Sequence, residues 1–216
     1  MIPVPPHGTR YPEPMADLSS SPIVVVLAAG AGRRFREAGG TGSKLHAHLL
    51  GRPVLDWTLA AVRASGLPWV LVERPEHEPD AYGMGDSIAR GVARRPDAPG
   101  WLILPGDLPL IDPASLINIA QSLREASLAE PWAVVRPLVA MPDGTTQPGH
   151  PVGFGPAWQD ALRGLRGESG AMPLVRQAGQ RGTMHPLPSD DAGCVQDIDH
   201  PDDLLQAEKA LQSRLG

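Results

Sequence analysis

The sequence is poor in cysteine, lysine and aromatic residues. Its single cysteine, Cys194, excludes a disulfide framework within the chain and a cysteine-based zinc site. Only Lys44 and Lys209 are lysines, so the other 17 of the 19 basic residues are arginines. The net charge of −5 argues against a protein that coats DNA or RNA, whereas a local basic site for a small polyanion stays open. Aromatic residues make up 4% of the chain, so Val, Leu, Ile and Ala must build the core.

Long apolar runs are also missing. No stretch approaches about 18 apolar residues, so no membrane span is expected. The first residues have neither the basic nor the apolar region of a secretory signal, and we expect a cytoplasmic protein. Six of the 25 prolines fall within residues 1–22. Residues 1–21 are therefore predicted to be a disordered arm, and residues 22–216 to form one domain.

Predicted strands and helices alternate along the chain. Continuous apolar runs at 23–28, 69–72 and 101–104 are typical of strands buried on both faces. Asp112-Pro113 is a strong helix start, with Asp at the N-cap and Pro at N1. Further strands are predicted at 132–139, 151–154 and 194–198, and helices at 54–62, 87–95, 158–165, 170–177 and 201–215. This order predicts an α/β fold with a mostly parallel, Rossmann-like sheet and helices on both faces.

A glycine-rich loop follows the first strand, with the sequence Leu-Ala-Ala-Gly-Ala-Gly-Arg-Arg-Phe at 27–35. Glycines let backbone N–H groups approach a phosphate, and Arg33, Arg34, Arg36 and Lys44 make the stretch strongly positive. Phe35 stands where a dinucleotide fingerprint needs a small residue, and Gly42-Ser43-Lys44 has the wrong order for a Walker loop. The loop is either phosphate-directed or a flexible turn with solvated arginines.

One carboxylate, Asp107, stands at the end of the third predicted strand. Ligands in open α/β sheets bind at the carboxyl ends of strands, so Asp107 would face the glycine loop if the two strands are neighbours. A carboxylate beside phosphates is the usual protein ligand of Mg²⁺. The alternative is that Asp107 only caps a turn.

Six short segments in order resemble the MobA/MocA-like molybdenum cofactor nucleotidyltransferases. The chain is most similar to their cytidylyltransferase branch, over about residues 23–210. The resemblance implies the nucleotide-diphospho-sugar transferase fold of the GT-A type. The segments are Leu-Ala-Ala-Gly-x-Gly-x-Arg at 27–34, Lys44, Gly-Met-Gly-Asp-Ser at 83–87, Gly-Asp-Leu-Pro-Leu at 106–110, Gly-His-Pro-Val at 149–152 and Asp-Ile-Asp-His-Pro-Asp-Asp-Leu at 197–204.

The resemblance also implies roles for individual residues. Lys44, Arg33 and Asp107 would be catalytic, and Asp107 and Asp199 would hold Mg²⁺, with Asp197 a weaker candidate. Ala29 favours CTP over GTP. His150 is either an acceptor contact or a hydrogen-bonded structural histidine. The residues implied to bind nucleotide are Leu27, Ala28, Ala29, Gly30, Gly32, Arg33, Arg34, Lys44, Gly85 and Ser87.

The implied reaction transfers CMP from CTP to a phosphorylated acceptor, molybdopterin first, and releases pyrophosphate. The alternatives are a sugar phosphate, polyol phosphate or phospho-acid as acceptor, or a nucleotide-binding regulatory protein without activity. The implied protein partner is a molybdoenzyme or its chaperone, and we expect no binding to nucleic acid or to a membrane.

The sequence departs from the family pattern at four places. Residues 37–41 read as an insertion that either forms a lid or displaces Lys44, and the stretch 69–83 is short. Asp86 replaces a common serine, and His200 replaces a common threonine at a predicted N-cap.

Overall fold

The strands and helices come from a computed structural model that describes residues 21–30, 32–74 and 83–215. Residues 1–20 of the predicted arm and residues 75–82 of the short stretch lie outside these ranges. The strands are β1 (Ile23–Ala28), β2 (His48–Leu49), β3 (Arg52–Pro53), β4 (Trp69–Glu73), β5 (Trp101–Pro105), β6 (Val134–Ala140), β7 (Thr146–Pro148), β8 (Val152–Phe154) and β9 (Met184–Ser189). The helices are α1 (Arg33–Glu37), α2 (Val54–Ala64), α3 (Met84–Ala93), α4 (Pro113–Ala129), α5 (Gln159–Arg163), α6 (Met172–Arg181) and α7 (Pro201–Leu215).

The central sheet has seven strands in the order β4-β1-β5-β8-β6-β7, with β9 paired to β6. Strands β4, β1, β5, β6 and β9 run in one direction, whereas β8 and β7 run in the other. The prediction of a mostly parallel α/β sheet is confirmed. Because β1 lies between β4 and β5, the chain segments that follow β1 and β5 emerge side by side at one edge.

Apolar side chains cover both faces of this sheet. One cluster joins Val24 and Val26 of β1 to helices α2 and α4. The other joins Ile23, Val25 and Leu27 of the same strand to α3, α5 and α6. This two-sided burial explains why β1 reads as a continuous apolar run. None of the described helices is long and apolar enough to cross a membrane.

Several predicted boundaries are confirmed, and one strand is wrong. Asp112 caps α4 by accepting a hydrogen bond from the Ala114 amide at 2.8 Å, with Pro113 at the first helical position. The predicted strand at 194–198 is absent, because residues 192–194 form a single 3-10 turn and the segment after them is irregular. The strand beside β6 is β9, whose two prolines conceal it in the sequence.

A glycine sets how closely α3 packs on the sheet. A Cβ atom on Gly91 would lie 2.3 Å from Val25 Cγ1 and 3.0 Å from Val72 Cγ2. Both valines are fully buried in β1 and β4, so neither side chain has room to move. The contact fixes the distance of α3 from β1, which leads into the glycine loop, and from the neighbouring strand β4.

We predict that Gly91→Ala lowers the free energy of unfolding by about 1–3 kcal/mol through overpacking. The control is Gly179→Ala in α6, where a Cβ would meet nothing within 4 Å. There alanine should raise the free energy of unfolding by up to about 1 kcal/mol through helix propensity. Urea denaturation of both variants gives the comparison, and equal effects would contradict the packing argument.

Candidate functional site

The glycine loop and Asp107 meet because β1 and β5 are hydrogen-bonded neighbours. The Gly106 amide donates to the Leu27 carbonyl at 2.9 Å, and a Cβ on Gly106 would lie 2.9 Å from the same oxygen. The buried Thr58 hydroxyl donates to the Gly106 carbonyl at 3.0 Å. Only glycine allows this close approach, which places Asp107 beside the start of the loop.

Lys44 lies between two carboxylates in the site. Its Nζ is 2.6 Å from Asp107 Oδ2 and 2.7 Å from Asp199 Oδ1. The Lys44 and Asp107 side chains are each only 12% exposed, so the ion pair is largely shielded from water. The insertion at 37–41 is predicted either to form a lid or to displace Lys44. Because Lys44 contacts Asp107 and Asp199, the insertion does not displace it from these carboxylates.

Asp199 reaches this position through backbone contacts that hold its segment. The Ile198 amide donates to the Asp107 carbonyl at 3.0 Å, and the Ile198 side chain is buried beside Leu110. The Asp203 carboxylate accepts from the amides of Asp199 and His200 at 2.9 and 2.6 Å. Asp203, three residues after the N-cap His200, thus caps α7 and fixes Asp199.

The charges stabilise one another in their ionised forms. Burial lowers the pKa of Lys44, but Asp107 and Asp199 outweigh it, so the net pKa lies above its ordinary value. Burial raises the pKa of Asp199, yet the Lys44 and Arg34 charges bring it below its ordinary value. The Arg34 guanidinium, 2.5 Å from Asp199 Oδ2, is 74% exposed and adds little stability.

Asp107, Asp197 and Asp199 have the oxygens for a small hard cation. One carboxylate oxygen from each lies within 4.8 Å of the others. Asp107 Oδ1 is buried and accepts no hydrogen bond from the described residues. Burial, followed by the Asp107 and Asp199 charges, raises the pKa of Asp197. An all-oxygen set with one unused buried oxygen fits the ligand preference of Mg²⁺.

A cavity of about 700 Å³ opens in front of this cluster. The charged residues of its wall are the cations Arg33, Arg34, Lys44 and Arg74 and the acids Glu37, Asp107, Glu168 and Asp199. The predicted nucleotide-binding or metal-binding residues that line the cavity are Leu27, Ala29, Gly30, Gly32, Arg33, Arg34, Lys44, Ser87, Asp107 and Asp199. A smaller groove between α4 and β9 has no basic residue among its described lining, so it suits a triphosphate poorly.

Two of the predicted nucleotide-binding residues, Ala28 and Gly85, do not line the cavity. Gly85 is instead a close-packing position, because its Cβ would lie 2.8 Å from the Arg166 carbonyl. Its amide donates to the Gly167 carbonyl at 2.8 Å. Ser87 lines the cavity but donates its hydroxyl to the Gly83 carbonyl at 3.2 Å.

Asp86 caps α3 through its side chain, a role that sequence reasoning missed. Its Oδ2 accepts from the amides of Gly83 and Gly167 at 3.0 and 2.8 Å. The Gly83 hydrogen bond is the main cause of its lowered pKa. An acidic residue at N3 of a helix is the signal that predicts such a side-chain cap. Asp86 therefore joins α3 to the 166–168 turn.

His150 lies on the opposite side of Asp107 from the glycine loop. Its amide donates to the Cys194 carbonyl at 2.8 Å, and its Nδ1 is buried without a partner among the described residues. Burial and the positive charge of Arg136 lower the pKa of His150 to about 4, although the Asp107 charge opposes them. The imidazole is therefore neutral at physiological pH, with one orphaned ring nitrogen.

We predict that this buried imidazole makes folding sensitive to acid. Below pH 6.5 the unfolded chain binds a proton on residue 150 that the folded chain refuses until about pH 4. Stability should therefore be full above pH 6.5 and fall as the pH drops, by up to about 3 kcal/mol. Urea denaturation at pH 7 and pH 4 should show a smaller loss in His150→Gln than in the wild type, and equal losses would contradict the assignment.

A curated relative and two solved structures are similar to the chain. It is 34% identical over 107 residues to the 2-C-methyl-D-erythritol 4-phosphate cytidylyltransferase of Thermosynechococcus vestitus, a match over 49% of this chain and 36% of that protein. The chain thus spans about a third of the length of the curated relative it matches.

The structural neighbours are more distant in sequence but cover more of the chain. A nucleotidyl transferase from Methanothermobacter thermautotroptrophicus has a TM-score of 0.71 and 21% identity, over 90% of this chain and 99% of that one. A Mycobacterium tuberculosis H37Rv protein solved as a manganese complex has a TM-score of 0.63 and 24% identity, over 88% and 99%. Residues 24–182 match the MobA-like NTP transferase domain. The chain therefore belongs to the family of MobA-like NTP transferase domains.

Proposed function

We propose that the chain is a nucleotidyltransferase that transfers a nucleoside monophosphate from a triphosphate to a phosphorylated acceptor. The observation that carries this proposal is the buried Lys44 ammonium between Asp107 and Asp199, next to a glycine loop with two arginines. Such a site can hold both the phosphate charges of a nucleotide and a divalent cation. The family membership supports the same reaction class.

The phosphates of the nucleotide would lie against the glycine loop. Gly30 and Gly32 line the cavity together with the cations Arg33, Arg34 and Lys44, and backbone N–H groups of such a glycine loop can hold phosphate oxygens. Gly32 has φ of +60°, a left-handed conformation that favours glycine and begins α1. These groups would hold the triphosphate in one orientation and leave its α-phosphorus near Asp107.

The reaction needs alignment and charge compensation more than acid–base catalysis. A phosphate oxygen of the acceptor forms a bond to the α-phosphorus of the nucleotide. The bond between the α-phosphorus and the oxygen that bridges it to the β-phosphorus breaks. Pyrophosphate leaves with that bonding electron pair, and the acceptor oxygen carries no proton to remove. Lys44 and the arginines would offset the negative charge, and no histidine is required as a base.

Mg²⁺ fits the carboxylate cluster as a cofactor. Asp107 and Asp199 would hold it, with Asp197 adjacent. When bound, the ion offsets negative charge on the phosphate oxygens in the transition state. Lys44 contacts the same two carboxylates, so a cation bound to both would compete with its ammonium group.

Two acceptor classes have specific support. The curated relative is named for 2-C-methyl-D-erythritol 4-phosphate, which favours a polyol phosphate. The family resemblance in the motifs favours molybdopterin. Ala29 in the glycine loop and the name of the same relative both favour CTP as the nucleotide.

The decisive assay incubates the protein with each nucleoside triphosphate, Mg²⁺ and either acceptor, and measures pyrophosphate release. We expect release that needs CTP, Mg²⁺ and one acceptor together. Tight CTP binding without release for any acceptor would favour the regulatory alternative. Absence of both binding and release would refute the proposed function.

Asp107→Asn should reduce turnover at least about 100-fold, because the amide removes the negative charge that a divalent cation needs. Asp160→Asn, at an exposed position in α5, is the matched control and should keep wild-type turnover. Pyrophosphate release across a Mg²⁺ titration gives the comparison, with thermal unfolding to show that both variants fold. Wild-type turnover in Asp107→Asn would remove this residue from the site.

Lys44→Met should weaken CTP binding about 10- to 100-fold, because a charge-assisted contact to phosphate contributes about 1.5–3 kcal/mol. Lys209→Met changes the other lysine, which is exposed on α7, and should bind CTP like the wild type. Equilibrium dialysis with labelled CTP measures both affinities. An unchanged affinity in Lys44→Met would assign the phosphates to the arginines alone.

A further inference from the structure

Arg136 is a half-buried cation in the middle of β6. Its Nε donates to the Gly149 carbonyl at 3.1 Å, and its Nη2 donates to the Pro148 carbonyl at 3.3 Å. Two of the five guanidinium N–H groups are thus used, so three donors remain. The two carbonyls belong to the segment that leads directly into His150.

The charge of Arg136 has no counterion among the described residues. No carboxylate lies within 4.0 Å of its guanidinium in the described part of the chain, whereas Lys44 has two and Arg34 has one. Burial lowers the pKa of Arg136 and no neighbouring acid offsets that effect. Keeping an unpaired charge half-buried is unfavourable, and two contacts to neutral carbonyls compensate for it only in part.

The imidazole of His150 lies close to Arg136 and donates one hydrogen bond to the Ile103 backbone. His150 follows the Gly149 carbonyl that Arg136 contacts, and its Nδ1 is buried without a hydrogen bond among the described residues. Ile103 pairs with Val152, so the start of β8 lies beside the end of β5 that carries Asp107. The charges of both Arg136 and Asp107 act on the imidazole. Arg136, which has no carboxylate partner among the described residues, and the His150 imidazole therefore lie together on the β8 side of Asp107.

We propose that Arg136, beside His150, binds the phosphate monoester of the acceptor. The inference rests on the proposed function, and it adds a substrate-binding residue that no family motif in the sequence contains. A planar guanidinium with free N–H groups matches the oxygens of a phosphate dianion, and binding would provide the missing counterion.

Arg136 and His150 lie on the other side of β5 from the glycine loop, so the proposed acceptor site is separate from the nucleotide site. The glycine loop follows β1, on one side of β5, whereas β8 and β6 lie on the other side. Arg136 is two strands from β5, roughly 10 Å at the usual strand spacing. A phosphate held at this pair would approach the α-phosphorus from the side opposite the glycine loop, as an in-line attack requires.

The test separates acceptor binding from nucleotide binding. Arg136→Gln keeps hydrogen-bond donors for the two carbonyls but removes the charge, and Arg136→Lys keeps the charge without the fork. With 2-C-methyl-D-erythritol 4-phosphate as the probe, Arg136→Gln should raise the acceptor KM about 10- to 100-fold. The KM for CTP and the unfolding midpoint should stay near wild type. Arg136→Lys should show a smaller rise in the acceptor KM than Arg136→Gln. Arg124→Met, at an exposed position of α4, is the control and should keep the wild-type KM values.

A binding measurement keeps the proposal testable if that probe is not turned over. Titration with inorganic phosphate should shift the NMR signals of the His150 side chain in the wild type and in Arg124→Met, but not in Arg136→Gln. No shift in the wild type, an equal shift in Arg136→Gln, or an unchanged acceptor KM would overturn the inference. Failure of pyrophosphate release with every acceptor, while phosphate still shifts His150, would instead refute the proposed function alone.

Discussion

One ammonium group between two carboxylates is the interaction on which the site depends. Lys44 lies within 2.7 Å of both Asp107 and Asp199, in a place largely shielded from water. Without Lys44, Asp107 would be a buried carboxylate with no ion-pair partner among the described residues. Without the two carboxylates, Lys44 would be an unpaired buried cation. The triad thus keeps an ammonium group and two carboxylates at one place in the fold. A bound polyanion would contact the ammonium group, and a bound metal ion would contact the carboxylates.

The fold brings this triad together from three distant segments. Asp107 lies two residues after the end of β5, and the glycine loop follows the neighbouring strand β1. Gly106 allows the two segments to approach closely. Asp199 arrives from the far end of the sequence, held by the Ile198 amide and the Asp203 carboxylate. Backbone contacts thus fix the segments that carry both carboxylates, so little reorganisation is needed when charge develops on a substrate.

The sequence predicts features that depend on local chemistry and fails where tertiary contacts decide. Asp112-Pro113 marks the start of α4 correctly, because the cap uses neighbouring backbone groups. The last strand is predicted at 194–198, whereas the structure forms it at β9. The two prolines of β9 argue against a strand, and only its pairing with β6 reveals one. The sequence likewise cannot show that Arg136 has no carboxylate partner among the described residues, because the fold decides which acids lie close to it.

The central claim is that nucleotide and divalent cation share the site that Lys44, Asp107 and Asp199 form. A crystal structure with CTP and Mn²⁺ tests it most directly, because the anomalous signal of manganese locates the metal independently of the nucleotide. The account predicts the metal on the carboxylates of Asp107 and Asp199, and the triphosphate against the glycine loop with Lys44 as a contact. Manganese or triphosphate bound elsewhere, with the Lys44 triad undisturbed, would contradict it.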